Sequence, residues 1–269
     1  MPLSTIVAFV DPKHAMSTLE TASFASKTLE ASVDVVVVKR DPLDALPSFG
    51  ESITGDLAES IIQAAEAAEN AMAAETRSLF AAGPLAGRAT FVEATGRDDV
   101  FIAENGRLYG LVVLPAPDLN DWEAGRIASA LFETGRPTLI APPQKPTSVG
   151  ERIAIFWKSS PQAAKAVWSA MPFLRAAKTV TAFGLGSEAV ATLEALSKAL
   201  GRAGVTIETA PLQASSGDAG DTLLVAAAEM DADLIVMGAY SHHRLKELIL
   251  GGVTQHILES VGRPVFLAH

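Results

Sequence analysis

The sequence predicts an α/β fold built twice, each copy a parallel sheet with helices on both faces. Three observations carry this. Short apolar runs at Ile6-Val7-Ala8-Phe9-Val10, Val33 to Val38 (broken only by Asp34), Leu111 to Leu114 and Leu234 to Met237 read as strands buried on both sides. Longer segments with helical periodicity alternate with them, as parallel strands require. The plan also repeats in order: Ile153-Ala154-Ile155-Phe156-Trp157 matches the opening run, and Leu234 to Met237 matches Leu111 to Leu114. The third match is Gly262-Arg263-Pro264-Val265-Phe266-Leu267-Ala268 with Gly135-Arg136-Pro137-Thr138-Leu139-Ile140-Ala141.

Between the copies, Pro142 to Gly150 is a stiff proline-rich linker, which places the domains at residues 1–143 and 151–269. In the first, a long helix is expected to start near Asp56 with Glu59 completing a capping box. Leu57, Ile61, Ala65, Ala68, Met72 and Leu79 would form its apolar stripe, and Gly83-Pro84 would end it. Thr90 to Glu93 reads as the next strand. In the second copy, Ser160 is placed to cap a helix with Pro161 in its first turn. Val167, Trp168 and Met171 would then face inward, and Pro172 would kink or stop the helix. Trp157 also reads as core.

Hydrophobic residues make up 49% of the 269 and charged residues 19%, enough for a sizeable core. The formal net charge of −10 argues against a nucleic-acid-binding body and against attraction to anionic membranes. With no cysteine, disulfides, thiolate catalysis and cysteine-bound metals are excluded. No signal segment or membrane span is apparent, so a cytoplasmic protein is expected. An anionic ligand would need a local feature, and His242, His243, Arg244 and Lys246 form the obvious basic patch.

That patch lies inside the most informative segment. A strand ends at Gly238, and Ser241 follows; nine residues later Gly251-Gly252-Val253-Thr254 opens a helix. Bare backbone amides at a helix start suit a phosphate or carboxylate, and the crevice beyond strand ends is where open α/β sheets bind ligands. The segment resembles the universal stress protein family, whose nucleotide-binding members carry Gly, two residues, Gly, nine residues, Gly and then Ser or Thr. Ser241 stands at the second glycine and Gly252 at the hydroxyl, with Thr254 offering a hydroxyl two residues on. The resemblance covers nearly the whole chain as two tandem universal-stress-protein-like domains. It implies an open five-stranded parallel sheet in each, paired through their last strands (here Pro137 to Ala141 and Pro264 to Leu267) within one molecule, and a possible homodimer.

The resemblance further implies ATP or AMP as ligand, with an Asp after the first strand facing the adenine. Asp11 holds that position in the first copy and Lys158 in the second. Lysine is a donor only, so its charge would instead meet a phosphate or carboxylate. The first copy has Leu114-Pro115-Ala116-Pro117-Asp118 where the glycine loop belongs; Pro115 and Pro117 lack N–H groups, and Asp118 and Asp121 repel phosphate. It reads as a structural partner. The expected anion or nucleotide site is therefore Lys158, Gly238, Ser241, His242, Arg244, Gly251, Gly252, Val253 and Thr254. Tight turns alone are the alternative reading of the glycines, and a ligand-free interaction module is the corresponding function. A slow nucleotide hydrolase is a further alternative, but no water-activating base or Mg²⁺ ligand is evident. Ser159-Ser160 lacks a nucleophile elbow. His14, His256 and His269 show no metal-ligand spacing, and Asp98-Asp99 and Asp231-Ala232-Asp233 read as capping or solvated carboxylates.

Overall fold

The computed structural model describes residues 3–46, 55–117, 125–213, 219–239, 252–260 and 262–269. Ten strands form one sheet in the order β3-β2-β1-β4-β5-β10-β9-β6-β7-β8. The first half supplies β1 (Thr5–Phe9), β2 (Ser32–Lys39), β3 (Thr90–Thr95), β4 (Leu111–Leu114) and β5 (Thr138–Ile140). The second supplies β6 (Arg152–Trp157), β7 (Thr179–Leu185), β8 (Glu208–Leu212), β9 (Leu234–Gly238) and β10 (Val265–Ala268). Within each half every pairing is parallel. The two five-stranded sheets meet in one antiparallel pair, Ile140 opposite Val265, Leu139 opposite Phe266 and Thr138 opposite Leu267. The expected pairing of the last strands is thus present inside one molecule. What would have been two apolar edges becomes the middle of the sheet.

Alternation along each strand sends side chains to two cores, one on either side. Ile6, Ala8 and Val10 join Ile153, Ile155 and Phe266 on one face. That face is covered by α1 (Ala15–Leu29), α2 (Gly55–Ala82), α5 (Pro161–Ser169), α6 (Met171–Ala176) and α7 (Ala189–Arg202). Val7, Phe9, Ala154 and Phe156 point to the other. There α3 (Asp98–Asn105), the short α4 (Arg126–Ala128) with its π-helical continuation Ser129–Glu133, α8 (Ala219–Glu229) and α9 (Gly252–Ser260) close the core. Both cores run without a break across the junction, where Phe173 meets Phe266 edge-on at 5.9 Å.

Ser160 caps α5 as expected, its Oγ accepting from Ala163 N at 3.2 Å, with Pro161 in the first turn. The helix stops at Ala170, and Pro172 sits at the start of α6, so it ends the first helix rather than bending it. Val167 and Met171 are buried, but Trp168 is 49% exposed, against expectation. Three- and four-residue spacing places it beside the buried stripe without a neighbouring element to cover it. In α2 only Ala73 and Thr76 are fully buried; Leu57 and Ala68 of the expected stripe are exposed. A helix of 28 residues is about 42 Å long, whereas the eight-residue β2 spans about 26 Å. The first turns of α2 therefore exceed the sheet they would pack on. Asp56 lies within the helix's first turn instead of capping it.

The linker is fastened at both ends. Ser17 Oγ donates to Pro142 O and Gln144 O, and Lys145 pairs with Glu20. Asp233, read as a capping or solvated carboxylate, is buried and accepts four hydrogen bonds: from Ser148 Oγ at 2.5 Å and from the amides of Gly150, Glu151 and Arg152 at 3.1, 3.2 and 2.8 Å. A buried carboxylate is stable only when its oxygens are satisfied, and here the turn into β6 does that. Gly150 turns with φ +87, a conformation open to glycine, while Phe173 Cδ1 lies 3.1 Å from where a Cβ would stand. Asp233→Ala should lower stability by about 3 kcal/mol in urea unfolding, since three amides lose a charged acceptor.

Below the first half, the Tyr109 hydroxyl donates to Asp34 Oδ2 at 2.8 Å. Burial, and then this hydrogen bond and the carboxylate's charge, push the phenol up from 10.0 to about 12. The folded value lies above the unfolded one, so the contribution is whole below pH 10 and is lost as pH rises to about 12. Denaturation midpoints should fall across that window in the native protein. In Tyr109→Phe the fall should be shallower.

Candidate functional site

The second-half site is built on the carboxyl ends of β6, β7 and β9, neighbours around the point where the strand order reverses. Gly238 is the last residue of β9. It makes no left-handed turn there; its necessity is contact. A Cβ on Gly238 would lie 2.4 Å from Ala163 N and 2.6 Å from the carbonyl carbon of Gln162. The first turn of α5 packs directly on the strand end, and only a residue without a side chain allows it.

Around that contact is a cleft of about 460 Å³. Of the expected site residues it brings together Lys158, Gly238, Val253 and Thr254. Lys158 follows β6 and is exposed. Val253 and Thr254 lie in the first turn of α9, which begins at Gly252, and Thr254 is buried against the wall. Ser241, His242, Arg244 and Gly251 lie outside the described residues, as do His243 and Lys246. The amino ends of α5, α7 and α9 all reach this region, each leaving main-chain N–H groups without a helical partner. Apolar walls come from Phe156, Leu185, Ala189, Leu223 and Met237, and polar groups from Ser159, Ser160, Gln162, Glu188 and Thr192. Trp157, expected in the core, packs against it and also lines the cleft; its indole N–H has no hydrogen-bond partner.

Glu188, Gln162 and Thr192 were missed by sequence reasoning. The signal available was positional: they follow strands whose ends define the crevice, and the segment after β7 carried no motif. Ser160 was read only as a cap, a role it does fill.

At the matching crevice of the first half the described residues form an internal ion network. Arg126, first residue of α4, donates from Nε to Asp98 Oδ2 at 2.6 Å and reaches Asp11 Oδ2 at 3.5 Å. Asp11 also accepts from the backbone N–H of His14 at 2.9 Å. The residue at the family's adenine-facing position is thereby occupied by the chain's own guanidinium. Asp98 and Asp99, expected to be caps or solvated groups, are ion-paired instead, Asp98 with Arg126 and Asp99 with Arg97. Hydrogen bonding to Arg97 holds the Asp99 carboxyl below its usual range. Each described histidine has a structural neighbour: His14 with Asp11, His256 with Asp221 at 2.6 Å and His269 with Ala239 O at 3.0 Å. Among the described residues no group of three or more acidic or histidine side chains is placed to hold a metal, and no helix is long and apolar enough to cross a membrane.

Comparison with known proteins agrees with this architecture. The model of the Universal stress protein family matches residues 161–269. A search of curated sequences finds no match. Among solved structures, a universal stress protein from Archaeoglobus fulgidus DSM 4304 superposes with a TM-score of 0.70 at 15% identity, over 100% of this chain and 99% of that one. A functionally unknown protein from Pseudomonas aeruginosa PAO1 does so with a TM-score of 0.56 at 15% identity, over 99% and 92%. At such identities the likeness is one of fold. Residues 161–269 carry a domain that matches the universal stress protein family, and the whole chain shares the fold of a universal stress protein.

Gly238→Ala tests the packing of the site. The added methyl must push α5 away from β9, so the variant should unfold at lower denaturant, by about 2 kcal/mol. Arg126→Ala should also destabilise, because it leaves two carboxylates facing each other without their cation. A melting temperature equal to that of the native protein would contradict the described ion network.

Proposed function

We propose that the chain is a universal-stress-type binding protein that holds a small anionic ligand, an adenine nucleotide such as ATP or AMP, in the second-half cleft. The observation that carries this is the convergence of Lys158, Gly238, Val253 and Thr254 on one cleft from the ends of β6 and β9 and the start of α9. Its volume of about 460 Å³ falls in the range of small-molecule sites, about 300–1,000 Å³. Phosphate oxygens would be met by the N–H groups at the start of α9, by Thr254 and by the Lys158 ammonium. The apolar walls would take a base or comparable flat group.

The role follows from binding rather than turnover. A ligand present at a hundred times its dissociation constant adds about 2.7 kcal/mol to the folded state, enough to shift populations or partner choice under stress. The cytoplasm, where such nucleotides are abundant, is the compartment this reading implies.

The test is mass spectrometry of small molecules released by denaturing freshly purified protein, followed by calorimetric titration with ATP and AMP. A stoichiometric adenine nucleotide, or saturable binding, is the expected result. Gly251→Asp should abolish it by charge and by loss of backbone approach, and Lys158→Glu should weaken it about tenfold. A protein that comes out empty and stays silent to both nucleotides would leave a ligand-free interaction module as the account of the fold.

A further inference from the structure

Among the described residues, Lys158 and Glu188 are the two formally charged side chains on the wall of the second-half cleft. They stand on neighbouring strand ends: β6 and β7 pair with Trp157 opposite Gly184, Lys158 follows β6 directly, and Glu188 is the N-cap of α7. Neither makes an ion pair among the described residues. Glu188 is also a capping residue that does not cap, because its side chain bonds no amide of its own helix. Its main chain, in contrast, is held, with Glu188 O accepting from Thr192 N at 3.1 Å and from Thr192 Oγ1 at 3.0 Å. The carboxylate is therefore an exposed acceptor on an anchored base, beside Leu185 and Ala189.

From this arrangement we infer that Glu188 is the specificity-determining residue of the cleft, accepting a hydrogen bond from the exocyclic amino group of a 6-aminopurine. The inference rests on the nucleotide reading given above. Charge alone orients such a ligand. Phosphates attract the Lys158 ammonium and the amides of α9 and repel a carboxylate, so the phosphates lie toward β9 and the base toward β7. An ionised carboxylate is acceptor-only and the lysine donor-only. With the flexible lysine drawn to the phosphates, the base edge meets Glu188. A 6-amino group donates to it; a purine lacking that group leaves the carboxylate unpaired, a contact that recognition sites reject strongly. The neighbouring hydroxyls offer little competition, since Ser160 Oγ serves Ala163 N and Thr192 Oγ1 serves its own helix.

The experiment is calorimetric titration of the full chain with ATP and with purine riboside triphosphate, which lacks only that amino group. The native protein should bind ATP at least about tenfold more tightly. Glu188→Ala, at an exposed position that leaves the fold intact by circular dichroism, should bring the two within about twofold by weakening ATP alone. Lys158→Ala should weaken both to the same extent. Equal affinities in the native protein, preference for the nucleotide without the amino group, or a ratio unmoved by Glu188→Ala would each overturn the assignment. Silence toward both nucleotides would instead overturn the nucleotide reading itself.

Discussion

Everything in this molecule hangs on the antiparallel contact between β5 and β10. A parallel sheet of apolar strands ends in rows of unpaired N–H and C=O groups beside side chains that water does not solvate well. Each half of this chain solves the problem with the other half's last strand. Thr138, Leu139, Ile140, Val265, Phe266 and Leu267 are all buried there. Because both cores pass through the junction, the halves share one hydrophobic interior on each face. The linker is set by the same requirement: Asp233 gathers the amides that lead into β6, and Ser17 holds the beginning of the linker against α1.

On this common frame the two halves differ at their crevices. In the second, the start of α5 is pressed on Gly238, which brings helix amino ends, Lys158 and Thr254 to one opening. In the first, Arg126 reaches across to Asp98 and Asp11. The same backbone plan thus presents N–H groups in one place and an internal ion network in the other. A few side chains at strand ends, rather than the fold, set that difference.

Most of the frame was readable from residues alone. Strands buried on both faces leave apolar runs, and the repeat of Gly-Arg-Pro marked β5 and β10 as equivalent, while their pairing was implied by the family resemblance. The capping of α5 was equally plain from Ser160-Pro161. What escaped was whatever depends on distant partners. Asp233 looked solvated because the amides it serves lie some eighty positions earlier. Trp168 and the first turns of α2 were read as core because periodicity marks a stripe without revealing how far a covering surface extends. Gly238 was singled out for a turn, yet it is required by a helix that precedes it by 75 residues. Of the site, Lys158, Gly238, Val253 and Thr254 were legible; Glu188, an unremarkable acid in a loop, was not.

Duplication normally yields a symmetric pair of receptors whose occupancies can influence one another. An arginine folded into one of the two crevices breaks that symmetry at the level of the single polypeptide. On the binding proposed above, such a chain would answer a guest molecule with a simple saturation curve, with no first site to prime or suppress a second. Any steepness in its response would then have to come from association between chains, and the internal guanidinium would make the protein a graded reporter rather than a switch.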